Sequence, residues 1–149
     1  MKRIPVFLFM AVISMMLLSA CASSAEESVA AEDEAPVELS SPALFKIIRA
    51  DGSTFDVTLD AVKALPLAQV QAEGKMEEGP YLKDVLALAG VTEFTEVSLT
   101  GSSNPVTLTF EQVNENTILD FNNHGTLKLA STYIPKPDWT KDVAEITVK

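Results

Sequence analysis

The side chains able to do chemistry are few, and the two most reactive kinds occur once each. Cys21 is the only cysteine and His124 the only histidine among 149 residues. A thiolate is a nucleophile and a soft metal ligand, and an imidazole binds metals or shuttles protons near neutral pH. His124 stands in Asn122-Asn123-His124-Gly125, residue types suited to turn geometry, so a hairpin turn is the first reading of that stretch. A site assembled through space from His124 with Asp120, Asp138 or Glu73 is the alternative. Glu73, Glu77 and Glu78 gather in one short stretch before the main helix and read first as a solvated loop, with attraction of a cation as the alternative. Tyr81, Tyr133 and Trp139 lie close to Pro or Gly in irregular chain, the setting in which an aromatic ring lines a cleft or covers a sheet edge. The candidate ligand-binding residues are therefore Gln71, Glu73, Tyr81, His124, Tyr133 and Trp139, with the loops 71–79 and 133–139 as the expected contact surfaces. Serine–histidine–aspartate order, a supported pair of catalytic carboxylates, a phosphate-cradling glycine loop and zinc spacing are all missing from the sequence, so no catalytic residue and no metal ligand is expected.

The setting of Cys21 gives it a different chemistry. Lys2 and Arg3 precede an apolar run from Ile4 to Leu18, the charged and apolar regions of a secretory signal. That run is about 15 residues, whereas a membrane-spanning helix needs roughly 20. It ends in Leu18-Ser19-Ala20-Cys21, which resembles the lipobox of bacterial lipoproteins. The resemblance implies cleavage before Cys21, a diacylglyceryl group on its sulfur and an acylated new N-terminus. Residues 1–20 are then processing sequence, and no free thiol remains for redox chemistry or metal binding.

Residues 21–43 are rich in Ala, Ser and Glu, with no aromatic residue and no Lys or Arg. Such a stretch buries too little apolar surface to offset the entropy of ordering, so a disordered acidic tether is expected, with a reach of about 25 Å. The whole chain carries 11 Lys and Arg against 21 Asp and Glu; losing Lys2 and Arg3 leaves 9 against 21, a net charge of −12. With no basic patch to replace phosphate counterions, nucleic acid is excluded as a partner.

Residues 44–149 remain to position the candidate side chains, enough for one domain. Leu44–Arg49 and Thr54–Leu59 flank Asp51-Gly52 and predict a β-hairpin. Asp60 is placed as the N-cap of a short helix ending before Pro66. Ala68–Ala72 is expected to be a strand. Leu82, Val85, Leu86 and Ala89 recur at i, i+3, i+4 and i+7 and predict an amphipathic helix closed by Gly90. Glu96–Thr100, Val106–Thr109, Thr117–Asn122, Thr126–Ala130 and Val143–Val148 read as strands, with a single helical turn at Phe110–Val113. The predicted class is α+β: one small domain with a mainly antiparallel sheet and two short helices.

Three stretches carry a further likeness: Gly79-Pro80-Tyr81-Leu82-Lys83-Asp84-Val85-Leu86-Ala87-Leu88-Ala89-Gly90, Thr107–Val113, and Asp138-Trp139-Thr140-Lys141 before the Ile146-Thr147-Val148 strand. In this order they resemble the molybdopterin-binding domain of the sulfite oxidase family. The resemblance implies that family's fold and makes molybdopterin a possible cofactor. The chain departs from the family where the chemistry lies. The stretch matching the metal-binding cysteine is Val70-Gln71-Ala72-Glu73-Gly74, with Ala72 in the cysteine's place. The basic residues that hold the pterin phosphate in the family are reduced to Arg49 and His124. Lys2-Arg3 is also no twin-arginine signal for folded export. The expectation is thus an exported protein anchored to the cell membrane or outer membrane by lipid on Cys21. Its domain would be a non-catalytic binding or accessory module for an envelope protein or small ligand, with no cofactor. The alternative is a molybdopterin-dependent oxidoreductase or electron-transfer component with a non-cysteine metal ligand.

Overall fold

The computed structural model describes residues 41–114 and 116–149. Cys21, the signal and most of the tether lie outside the described residues.

The first hairpin forms as its turn chemistry dictates. Strands β1 (Ala43–Ile48) and β2 (Thr54–Thr58) pair antiparallel around Asp51-Gly52. The Asp51 carboxylate accepts from the Ser53 amide at 2.8 Å, and Gly52 takes the left-handed conformation at φ 82°. Helix α1 (Leu59–Lys63) follows, and its cap is not Asp60. The Thr58 hydroxyl accepts from the Ala61 amide at 3.3 Å, because Thr58 is still extended while Asp60 already lies inside the first turn.

The second hairpin joins β3 (Ala68–Ala72) to β4 (Lys75–Gly79). Its two linking residues, Glu73 and Gly74, have φ of 48° and 78°, the left-handed pair that a tight two-residue hairpin needs. β4 stands where the sequence suggests a solvated acidic loop. Helix α2 (Leu82–Leu88) buries Leu82, Val85 and Leu86, as its periodicity predicts. It ends when Gly90 turns left-handed: Gly90 N donates to Ala87 O, and Val91 N to Leu86 O at 3.1 Å.

Strands β5 (Glu96–Thr100) and β6 (Val106–Thr109) form a third antiparallel pair. The expected helical turn is helix α3 (Phe110–Asn114), so there are three short helices rather than two. The Gln112 side chain reaches back to the Thr109 amide at 3.0 Å and starts α3. Strands β7 (Thr117–Phe121) and β8 (Leu127–Ser131) make the fourth hairpin; a 3-10 turn at Lys136–Asp138 and strand β9 (Glu145–Val148) complete the order.

Five strands form the main sheet, in the order β2-β1-β9-β5-β6. Only β1 and β9 run parallel; the other neighbours are antiparallel. Ile47, Val57, Val97, Leu99, Leu108 and Ile146 from this sheet meet Leu82, Val85 and Leu86 of α2 in the main core. The β3–β4 and β7–β8 hairpins stand as separate two-stranded ribbons, joined by the Tyr81–Ile118 bridge and by Leu119 N donating to Pro80 O at 3.0 Å. Their backbones press together at Gly79, where a Cβ would sit 2.0 Å from the Leu119 carbonyl oxygen. A second, smaller core lies between them: Val70, Ala72, Ile118, Ala130 and Trp139.

Candidate functional site: a lysine-rimmed pocket between two hairpins

The two hairpins turn charged side chains toward each other. Val70 and Glu77 face one another across β3 and β4, so the alternation that buries Val70 buries Glu77 too. Glu77 is only 8% exposed. Its carboxylate meets Lys128 of β8 at 2.9 Å and also binds the Lys136 ammonium from the 3-10 turn. Lys128 reaches Asp120 on β7 as well, at 2.9 Å. Burial pushes the Glu77 carboxyl up, but hydrogen bonds from Lys136 and Lys128 outweigh it and hold it at about 2. Burial raises the Asp120 carboxyl, and the neighbouring Glu77 adds to that against the pull of Lys128. Two carboxylates thus share one lysine, and Glu77 keeps its charge more firmly.

Beside this cluster a pocket of about 370 Å3 is lined by Glu73, Lys128, Lys136, Pro137, Trp139 and Lys141. The loop carrying Lys136 is tied down from several sides. Lys136 N donates to Glu73 Oε1 at 3.2 Å, Asn104 Nδ2 donates to Pro137 O at 2.7 Å, and the Lys136 ammonium lies 5.1 Å from the centre of the Trp139 ring. Trp139 is 3% exposed, and its indole N–H donates to Ser131 O and Ile134 O at 3.1 and 3.0 Å. It anchors the second core and shows the pocket only part of its surface, so its removal would disturb the fold as well as any ligand.

The other candidates from the sequence are dispersed. Glu73 and Trp139 line the pocket; Gln71, Tyr81, His124 and Tyr133 do not. Gln71 is exposed opposite Met76 on the outer side of the β3–β4 hairpin. Tyr81 begins α2, packs against the second core and lies under the Lys83 ammonium. Tyr133 is 46% exposed after β8. His124 sits exposed in the β7–β8 turn, its amide donating to the Asn122 side chain at 2.9 Å. Lys128, Lys136 and Lys141 are absent from the candidates read from the sequence, although Lys136 lies in the 133–139 loop and Lys141 in one of the stretches that carry the likeness. Lys128 alternates with Leu127 and Leu129 like any surface lysine of a strand, and only the prolines flanking Lys136 hint at a fixed position.

The residues present do not fit a molybdenum–pterin group of the kind the family resemblance implies. Ala72, which the resemblance sets against the metal-binding cysteine, is 7% exposed and packs with Val70, Ile118, Ala130 and Trp139; its methyl has no electron pair to offer. Arg49 is committed elsewhere, donating to Ala89 O at 2.7 Å and to Ser53 Oγ at 2.9 Å. Among the described residues no group of three or more His, Cys, Asp and Glu is placed to hold a metal ion.

No protein-family model matches the chain. No curated protein matches it either. Among solved structures it is similar to the sulfane dehydrogenase SoxCD from Paracoccus pantotrophus, with a TM-score of 0.54 at 18% identity. That likeness covers 70% of this chain and 37% of the other, so this chain spans little more than a third of that protein. The small α+β domain, mostly antiparallel with three short helices, therefore shares its fold with a segment of that sulfane dehydrogenase.

Proposed function

We propose that this protein is a lipid-anchored module of the cell envelope that binds a small ligand or a protein partner and does not catalyse a reaction. The observation that carries the proposal is Ala72. Where the resemblance calls for a metal-binding thiolate, a buried methyl group packs into a small apolar core. The lysine-rimmed pocket beside that core is where the module would take a ligand. The lipobox at Leu18-Ser19-Ala20-Cys21 supports the anchor, and the acidic stretch after it supports a spacer that holds the domain away from anionic head groups.

The test is the metal and pterin content of the protein purified from its own envelope, together with incorporation of labelled fatty acid. The expected result is no molybdenum, tungsten or pterin near stoichiometry, and label that disappears in Cys21→Ser. Stoichiometric metal with pterin would sink the non-catalytic reading. Label retained by Cys21→Ser would sink the anchor.

One observation favours a second reading, an oxidoreductase or electron-transfer component with a non-cysteine metal ligand: the fold is shared with a sulfane dehydrogenase. The same cofactor analysis separates the two readings.

A further inference from the structure

The pocket between the hairpins has a wall chemistry that selects its ligand, and its lysines are not equivalent. Lys128 is held by Glu77 and Asp120, and Lys136 by Glu77, so both ammonium groups are neutralised from behind. Those carboxylates are turned away from solvent: the Glu77 and Asp120 side chains are 9% and 13% exposed, against 28% and 30% for Lys128 and Lys136. An incoming molecule therefore meets three lysines and one carboxylate, Glu73, whose Oε1 already accepts the Lys136 amide. Lys141 makes no ion pair among the described residues. Its backbone is fixed, since its carbonyl accepts from Ser102 N at 2.8 Å and it bridges to Ser103. A charge left without a counter-ion thus stands on an ordered support at the rim.

The rest of the wall is apolar, formed by Pro137 and the small accessible part of Trp139. A cavity of about 370 Å3 falls at the small end of the range for small-molecule sites. We infer that this pocket binds a small amphipathic carboxylate, a molecule with a flat apolar body and one carboxylate, with Lys141 as the counter-ion of that carboxylate. The body lies against Pro137 and the small part of Trp139 left accessible beside the Lys136 ammonium, and the carboxylate meets Lys141. A cation is disfavoured by Lys141, the one lining lysine that makes no ion pair among the described residues. A bare oxyanion leaves the apolar wall uncovered. This inference rests on the reading of the domain as a ligand-binding module.

Trp139 is the only tryptophan of the chain, so its emission reports on the pocket without a label. The experiment titrates phenylacetate, acetate and phenethylamine into the full chain, read by Trp139 fluorescence and by calorimetry. Phenylacetate is expected to bind saturably, and acetate and phenethylamine about tenfold or more weakly, since a charge-assisted contact and an apolar wall each contribute at least that factor. Lys141→Gln, at an exposed position, should weaken phenylacetate about tenfold with the fold unchanged. Glu73→Gln should leave phenylacetate affinity the same or tighter. The inference is overturned if phenylacetate gives no saturable signal by either method, if phenethylamine binds as well, or if Lys141→Gln binds like the parent. Such a failure on protein already shown free of metal and pterin removes the ligand class and leaves the non-catalytic module standing. Stoichiometric cofactor would instead remove the module itself.

Discussion

The main sheet and the hairpin corner hold themselves together by different means. In the sheet, Ile47, Val97, Leu99 and Ile146 pack against the apolar face of α2, and its ion pairs, such as Lys46–Glu145 and Lys149–Glu96, lie at the surface. In the corner, four small or medium apolar groups and one indole are supplemented by Glu77, Lys128, Asp120 and Lys136, drawn from three separate segments. Apolar burial needs only the right face turned inward, whereas a buried ion network holds only if every partner is in place. The sheet should therefore tolerate loss of charge and suffer most from loss of volume. The corner should show the reverse, and that is where a binding surface can be shaped by a few polar changes.

The largest effect is expected in the sheet core. Leu86→Ala should cost about 2–5 kcal/mol in denaturant unfolding, the range for emptying a fully buried leucine site. Trp139 emission and far-ultraviolet dichroism should shift together; an unmoved Trp139 transition would mean that the two regions unfold separately. Gly79→Ala tests the seam between the hairpins. Its methyl would overlap the Leu119 carbonyl, so β4 and β7 must separate, at about 3 kcal/mol, the upper end for overpacking. A change below about 1 kcal/mol would show that the seam yields easily.

Glu77→Gln comes next, at about 1–3 kcal/mol; the figure for breaking a buried pair is reduced because Lys128 and Lys136 are nearly a third exposed. Its signature is in the pH dependence. Glu77 is held at about 2 in the folded state against an ordinary 4.5, so its contribution is fully present above 4.5 and is lost as pH falls toward 2. Asp120 works in the opposite sense: raised above 3.8, its ionisation costs the folded state, and acidification relieves that cost. The parent should lose melting temperature below pH 4.5, and Glu77→Gln should flatten that slope. An unchanged slope would assign the acid sensitivity to other groups. Lys46→Ala, which breaks a surface pair, should cost less than about 0.5 kcal/mol, and a larger cost would blur the contrast between the regions.

Elements written in local pattern were legible in the sequence. The Asp51-Gly52 turn, the spacing of Leu82, Val85, Leu86 and Ala89, and the Gly90 stop each act within a few residues of chain, and each forms as expected. What escaped depends on distant partners. Lys-Met-Glu-Glu at 75–78 has the composition of a loop, and becomes a strand because β3 and the Glu73-Gly74 turn present it for pairing. Glu77 looks solvated in sequence; its lysines lie 51 and 59 residues away, where no periodicity can announce them. Trp139 was legible as an aromatic of interest, while the two carbonyls that fix it inside the corner were not. The Thr58 cap was missed for a narrower reason. Threonine and aspartate both cap helices, and only the backbone angle at Thr58 decides between them.

The parallel contact between β1 and β9 also sets a timetable. β9 is the middle strand of the five and follows the other four in chain order. Until it arrives, β1–β2 and β5–β6 are two hairpins with no strand between them, each too small to persist in water. Closure of the five-stranded sheet therefore waits for Glu145–Val148 to slot between the two halves.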